Sequence, residues 1–387
     1  MWHTAATVLS VALVPCPPTR WCVPRTLASL EQARDHKRAT PFLAPVELPD
    51  DVHDEIDWVQ QHADVLMQKL DDSGALHFRG FATPRSRAGL REFCDALPLT
   101  PCEDPLASIG VRKLLSSQAG VYEAVNSPAL SRTFIGLHND ATFKLTAPYA
   151  AFACLQQAES GGEFLLADGR AVLAELLSGH TDEALAPLFE RNVSVRVAAL
   201  DLDPLFAIVP EALHRPIRVL LRQLVGFALG LAVPLDLQLA WGYPDAGTQT
   251  ATRRTSVLQI LEQPKAPVNR HPHSGQPSFF SSLHSQARHL QKRRAAIFSQ
   301  TSVSAIATTD VFFGDDLQPI DPALLDVVDE VVSRLTRRIA MQPGDLVLLD
   351  TYQVLHGRDV FEGPREHAVV WLAEPMDRRD RDGLESA

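Results

Sequence analysis

Gly136-Leu137-His138-Asn139-Asp140-Ala141-Thr142-Phe143 decides how the chain reads, together with Leu355-His356-Gly357-Arg358 more than two hundred residues later. In an extended strand, side chains two residues apart share a face, so His138 and Asp140 can aim an imidazole and a carboxylate at one point. His356 is the candidate third ligand. Two histidines and one carboxylate, with the remaining coordination positions open, form the donor set of non-haem Fe(II) centres. Taken alone the His-x-Asp pair is weak, because 14 His and 47 acidic residues produce such pairs by chance. The surrounding motifs must carry the reading.

With 387 residues, 45% of them hydrophobic, the chain is long enough for one large domain with insertions or for two smaller ones. Its 36 basic and 47 acidic residues leave a net charge of -11, and no basic run exceeds Lys292-Arg293-Arg294, which excludes nucleic acid as a partner. Cys16, Cys22, Cys94, Cys102 and Cys154 are odd in number and include no close pair. Neither a disulfide framework nor a cysteine zinc site follows, and a reducing cytoplasm fits. Residues 5–14 are apolar, but no Lys or Arg precedes them and Pro15, Pro17 and Pro18 follow, so they do not read as a signal peptide. Residues 1–48 read as a poorly ordered leader or extension. The apolar run Ala212 to Val233 contains His214, Arg215, Pro216, Arg218 and Arg222, which excludes a membrane span and predicts a buried helix.

Val52, Ile56, Val59, Ala63, Leu66 and Leu70 recur at helical spacing, and Ser73-Gly74 ends that helix. Ala75 to Phe81 alternates as a strand in which His77 is structural, and a helix opened by Pro84 runs through Ala96. Asp168 caps a short helix from Arg170 to Leu177, closed by Gly179. Residues from about 180 to 300 read as a helical and loop insertion, or lid, including a stretch from Trp241 to Thr255 and a Pro/His-rich loop from Pro264 to Pro277. His271, His273, His284 and His289 lack the i,i+4 spacing with a supporting acid that a second metal would need, so they are read as loop histidines. Asp321-Pro322 starts a helix with Leu325, Val328, Val332, Leu335 and Ile339 on one face and Arg337-Arg338 in its last turn. A turn at Gln342-Pro343-Gly344-Asp345, a strand from Leu346 to Leu349, an extended piece bearing His356 and a last strand from Arg365 to Leu372 follow. Residues 49–376 thus read as one domain, and 377–387 as a charged tail.

Several of these stretches, in this order, resemble the TauD/TfdA family of Fe(II)- and 2-oxoglutarate-dependent dioxygenases. They are Gly74-Ala75-Leu76-His77-Phe78-Arg79-Gly80-Phe81, His138-x-Asp140 with Thr142-Phe143 and Pro148, Ser160-Gly161-Gly162-Glu163, and Leu166-Ala167-Asp168-Gly169-Arg170-Ala171-Val172. Gly344-Asp345, Leu355-His356-Gly357-Arg358 and Phe361-Glu362-Gly363-Pro364-Arg365 complete the set, which covers Leu70 to Pro375 with a loose match in the middle. The closing stretch is similar to the branch containing syringomycin-type amino-acid hydroxylases of nonribosomal peptide pathways.

The resemblance implies an α+β fold with a double-stranded β-helix, or jelly-roll, core framed by helices. It implies Fe(II) held by His138, Asp140 and His356, with 2-oxoglutarate and O2 filling the open positions. The distal carboxylate of 2-oxoglutarate would pair with Arg365, whose planar fork suits a carboxylate. If residues 356–365 form a hairpin turning near Val360-Phe361, His356 and Arg365 lie on neighbouring strands with Cβ atoms about 5 Å apart. Arg358, on the strand face of His356, is the second candidate. Phe164 stands where the family carries a threonine that helps to hold 2-oxoglutarate, a loss of about 1 kcal/mol.

The carboxylate of Asp140 argues against halogenation, because halogenating relatives have a small residue there. Hydroxylation of an unactivated carbon in a small amino-acid-like substrate, free or carrier-bound, in secondary metabolism is the implied activity. Asn126 and Arg253-Arg254 are possible substrate contacts whose plainer reading is solvated loop, while Trp241 and Tyr243 read as packing. Two other readings stand beside it: a catalytically lapsed jelly-roll small-molecule binding protein, and a Zn(II) hydrolase using the same three ligands.

Overall fold

Runs that are apolar at nearly every position need cover on both faces, and in the computed structural model they have it. The structure describes residues 13–24, 27–34, 40–106, 113–116, 120–179, 182–232, 237–242, 256–297 and 309–375. The expected tail 377–387, Tyr243, Arg253 and Arg254 lie outside these residues. The chain is mixed α and β with many strands. Eight strands form a major sheet. Its order is Ala44–Glu47, Ala75–Arg79, Leu346–Asp350, Tyr149–Gln156, Glu366–Ala373, Val121–Glu123 and Leu114–Ser116, with Thr100–Cys102 pairing farther along Glu366–Ala373. A minor sheet of four strands has the order Arg337–Ile339, Phe164–Asp168, Val354–Arg358 and Ile135–His138.

Alternation along each strand sorts its side chains between two cores. On Tyr149–Gln156, Ala151 and Ala153 join Leu66, Leu70, Leu90 and Phe93 of the helices Ala63–Ser73 and Arg87–Asp95. Ala150, Phe152 and Cys154 face inward, where a second cluster combines residues of the major sheet with Phe164, Leu166, Ile339 and Val354 of the minor one. Phe152 lies 4.8 Å from Phe164 between ring centroids, so the two sheets meet through their side chains. The outer face of the minor sheet, through Leu137, Leu165, Ala167 and Leu355, packs on the helices Gly169–Gly179 and Pro322–Leu335.

Several local expectations change. The helix before Gly74 is broken at His62 into Glu55–Gln61 and Ala63–Ser73, because His62 leaves helical geometry at φ -103° and ψ 8°. The helix begun at Asp321 stops at Leu335, and Arg337, Arg338 and Ile339 pair instead with Leu166, Leu165 and Phe164. Residues 13–24, expected within a poorly ordered leader, run along both sheets. Thr19 Oγ1 lies 2.7 Å from Thr146 Oγ1, the Arg20 amide donates to the Tyr352 hydroxyl at 2.9 Å, and Trp21 Nε1 donates to the Phe143 carbonyl at 2.8 Å.

The middle of the chain holds more than helix and loop. Leu237–Trp241, Val257–Glu262, Val193–Asp201 and Asp310–Phe313 form a third, antiparallel sheet. The helix His214–Ala232 packs on this sheet with one face only. Arg218 lies over the rings of Phe206 and Trp241, at 5.2 and 5.7 Å, which makes Trp241 a packing residue. Val219, Leu220, Leu224 and Phe227 are exposed, Phe227 by 70%, so the predicted buried helix is half bare. Its apolar residues outnumber its arginines, which reads as burial, but the sheet covers a single side. No described helix is long and apolar enough to cross a membrane.

Candidate active site

His138 ends the strand Ile135–His138, and Asp140 lies just beyond it, so the pair does not share a regular strand as expected. The two side chains converge nonetheless with His356, from the neighbouring strand Val354–Arg358, where His356 stands directly opposite His138. Asp140 offers one oxygen to each histidine: Oδ2 lies 3.0 Å from His356 Nε2 and Oδ1 lies 3.5 Å from His138 Nε2. One donor atom from each residue falls within 4.8 Å of the others. Bond lengths of about 2.0–2.2 Å from nitrogen and carboxylate oxygen to a divalent ion fit that spacing after small movements. His138 Nδ1 lies 2.8 Å from the Gly136 carbonyl. It therefore carries the proton, and Nε2 keeps its lone pair for a metal.

Three residues hold this cluster, and the sequence alone assigned this role to none of them. Asn139 is buried between His138 and Asp140; its Nδ2 donates to the carbonyls of Thr351 at 2.8 Å and Val354 at 3.1 Å, and its Oδ1 accepts from the Ser281 amide at 3.0 Å. One side chain thus ties the His-x-Asp segment to the turn leading into His356. His284 is a second support. Its Nδ1 accepts the Leu137 amide at 2.9 Å and its Nε2 lies 3.0 Å from Asp329, so it is a buried neutral imidazole rather than a loop histidine. Burial pulls its pKa down to about 4, in keeping with an Nδ1 already committed as an acceptor. Gly357 is the third: a Cβ there would stand 2.5 Å from the Ile135 carbonyl, so only glycine lets the strands bearing His138 and His356 approach. Of the other histidines read as loop residues, His271 is also buried, 2.8 Å from Asp350, whereas His273 and His289 are exposed or half-buried and paired with Glu374 and Asp326.

Arg365 does not lie on a strand beside His356. Val354–Arg358 pairs within the minor sheet and Glu366–Ala373 within the major one, so no 356–365 hairpin forms. Phe361-Glu362 pairs instead with Gly161 and Ser160. The chain crosses between sheets, and Arg365 and Arg358 both approach the Phe361 ring, at 5.5 and 4.7 Å from its centroid. Gly162 makes room for the first of them: a Cβ there would lie 3.3 Å from Arg365 Cδ and Nε, and its φ of +75° favours glycine.

Both arginines are buried. Among the described residues, neither has a carboxylate within 4.0 Å of its guanidinium. Arg358 Nη2 donates to the Leu130 and Thr133 carbonyls, while its Nε and Nη1 are buried without a hydrogen-bond partner. Arg365 Nη1 donates to the Ala124 carbonyl and to Asn126 Oδ1, and its Nε is likewise buried and unbonded. Burial, and then the charge of Arg358, pull Arg365 down to about 9; burial pulls Arg358 down to about 10. His367, which sequence reading passed over, is held well below its usual range by burial and by both arginines. Unbonded nitrogens on two buried cations fit a ligand carboxylate. Phe164 stands opposite Arg358 across its strand pair and 6.2 Å from His356 between ring centroids, so it borders this space.

The family model described as "Taurine catabolism dioxygenase TauD, TfdA family" matches residues 36–371. No curated protein matches the chain. Among solved structures, the PvcB protein from Pseudomonas aeruginosa is 15% identical with a TM-score of 0.46, covering 94% of each chain. An asparagine oxygenase, solved with Fe(II), 3-hydroxyasparagine and succinate, is 14% identical with a TM-score of 0.47, covering 87% of this chain and 96% of that one. A putative alpha-ketoglutarate dependent 2,4-D dioxygenase from Burkholderia xenovorans is 17% identical with a TM-score of 0.41, over 88% and 96% of the two chains.

Proposed function

From the premise that the chain belongs to the TauD/TfdA dioxygenase family, we propose that it is an oxygenase dependent on Fe(II) and 2-oxoglutarate, hydroxylating an unactivated carbon of a small molecule. The observation that carries this reading is the pairing, inside one fold, of a His-Asp-His cluster with buried arginines that lack a carboxylate. His138, Asp140 and His356 would hold the iron. Arg365 would anchor the distal carboxylate of 2-oxoglutarate, with Arg358 as a second cation in the same pocket. When bound, the iron and cosubstrate supply the oxidising chemistry, with 2-oxoglutarate decarboxylated to succinate. The chain's own part is placement and dryness. Asp140 and His356 are buried, and Phe152, Phe164 and Trp371 wall the interior beside His356 with apolar rings.

In this reading the two facing sheets are the halves of a jelly roll, within one oxygenase domain over residues 49–376 that the third sheet and its helix interrupt. The substrate is amino-acid-like, free or carrier-bound, and belongs to secondary metabolism. The free thiols of all five cysteines are in keeping with a cytoplasmic site of action. Anaerobic addition of Fe(II) and 2-oxoglutarate should produce a visible metal-to-ligand charge-transfer band, and O2 should then yield succinate. Ligand binding with neither band nor succinate would favour a lapsed binding protein instead.

A further inference from the structure

We infer that Asn126 is a positioning residue for the cosubstrate arginine: a neutral acceptor that fixes the guanidinium of Arg365 without cancelling its charge. The inference rests on the proposal that Arg365 anchors the distal carboxylate. Asn126 Oδ1 accepts from Arg365 Nη1 at 2.9 Å and from the His367 amide at 3.0 Å, while its Nδ2 donates to the His367 carbonyl at 2.8 Å. Those bonds lock the amide orientation, since only the oxygen can accept both donors. The Ala124 carbonyl meets the same Arg365 nitrogen at 3.1 Å. One edge of the fork is thus held by two neutral oxygens, which leaves Nε uncommitted.

The local backbone is bent to do this. Val125, between the two acceptors, has φ +50°, a region that β-branched residues rarely enter. The bend lets consecutive groups, a main-chain carbonyl and a side-chain amide, reach one guanidinium nitrogen. It also keeps the segment on the last strand, where the Ala124 amide donates to the His367 carbonyl at 3.0 Å.

The residue type matters as much as the place. An aspartate here could accept the same two bonds and would hold the guanidinium more strongly, because charge-assisted bonds are the stronger ones. It would also supply the missing negative charge. Among the described residues no carboxylate lies within 4.0 Å of either the Arg365 or the Arg358 guanidinium, and that imbalance is what a dianionic ligand would relieve.

The test uses the full chain loaded with Mn(II) and without O2, measuring the dissociation constants of 2-oxoglutarate and of 2-oxobutyrate, which keeps the keto acid and lacks the distal carboxylate. Asn126→Asp should weaken 2-oxoglutarate by roughly tenfold or more, leave 2-oxobutyrate unchanged, and raise the thermal midpoint of the ligand-free protein. Asn126→Ala should weaken 2-oxoglutarate by a smaller factor and lower the midpoint. In an Arg365→Ala background, Asn126→Asp should no longer change 2-oxoglutarate affinity. If Arg365→Ala weakens 2-oxoglutarate while Asn126→Asp and Asn126→Ala do not, the role of Asn126 is overturned and that of Arg365 stands. An equal loss for both ligands in the Asn126 variants overturns it too, as general damage. If Arg365→Ala leaves 2-oxoglutarate affinity untouched, the anchor and the inference fall together.

Discussion

The two ends of the candidate site are built on opposite electrostatic plans. At the ligand end, one carboxylate sits between two imidazoles, with its oxygens 3.0 and 3.5 Å from their Nε2 atoms. At the arginine end, two guanidiniums lie over one ring, and the acceptors they meet among the described residues are neutral oxygens. The first arrangement is complete enough to stay folded while open to a cation. The second is left short of negative charge, and burial holds the pKa values of Arg365 and Arg358 below their ordinary range. In the proposed reading the metal binds at the first end and the dicarboxylate at the second, and each plan suits its partner.

The contrast can be broken at either end. Asp140→Ala should have the largest effect, removing the only carboxylate of the cluster and with it both metal binding and succinate formation. Retained stoichiometric metal binding would mean that another group supplies the anionic ligand. At the other end, Arg365→Ala should weaken 2-oxoglutarate roughly 10–150-fold, the range for a hydrogen bond to a charged group. Arg358→Ala should weaken it less, as expected of a second cation that adds charge to the pocket while Arg365 makes the pairing with the ligand. The reverse order, in calorimetric titrations, would make Arg358 the anchor.

A third test probes the support beneath the ligand end. The folded pKa of His284, about 4, lies below its ordinary 6.5. Between those values the unfolded chain takes up a proton that the folded one refuses, so stability present above pH 6.5 is lost as pH falls toward 4. The stability difference between wild type and His284→Gln, from urea unfolding, should therefore shrink over that range; a pH-independent difference would contradict a buried neutral imidazole. The smallest effect concerns Phe164. Phe164→Thr should tighten 2-oxoglutarate by about fivefold, the worth of a hydrogen bond of about 1 kcal/mol. No change would place the ring outside reach of the ligand.

What could be read from sequence divides along the same physical lines. His138, Asp140 and His356 were legible because metal chemistry demands few residue types at short spacing. Arg365 stood out by type as a carboxylate partner, but its route was not legible: the hairpin expected after His356 is a crossover between sheets, and nothing in Arg358 to Pro364 reports which sheet a strand will join. Asn126 and His284 were read as loop residues, since their partners lie 241 and 147 residues away in sequence. The helix His214–Ala232 failed for a different reason. Periodicity reports which faces are apolar, not which of them the rest of the chain will cover, and Leu220, Leu224 and Phe227 remain bare.

The segment 13–24 brings time into the picture. Arg20 meets the hydroxyl of Tyr352, a partner 332 residues further on. At about 5–20 residues per second, ribosomal synthesis makes that partner roughly 15–65 s later. Through that interval Thr19, Arg20 and Trp21 lack Thr146, Tyr352 and Phe143 in turn, then gain them as each is translated. Prolines at 15, 17 and 18 keep the waiting stretch extended rather than helical. The bond from Arg20 to Tyr352 is therefore the last of the three whose partner exists, made just before His356 itself.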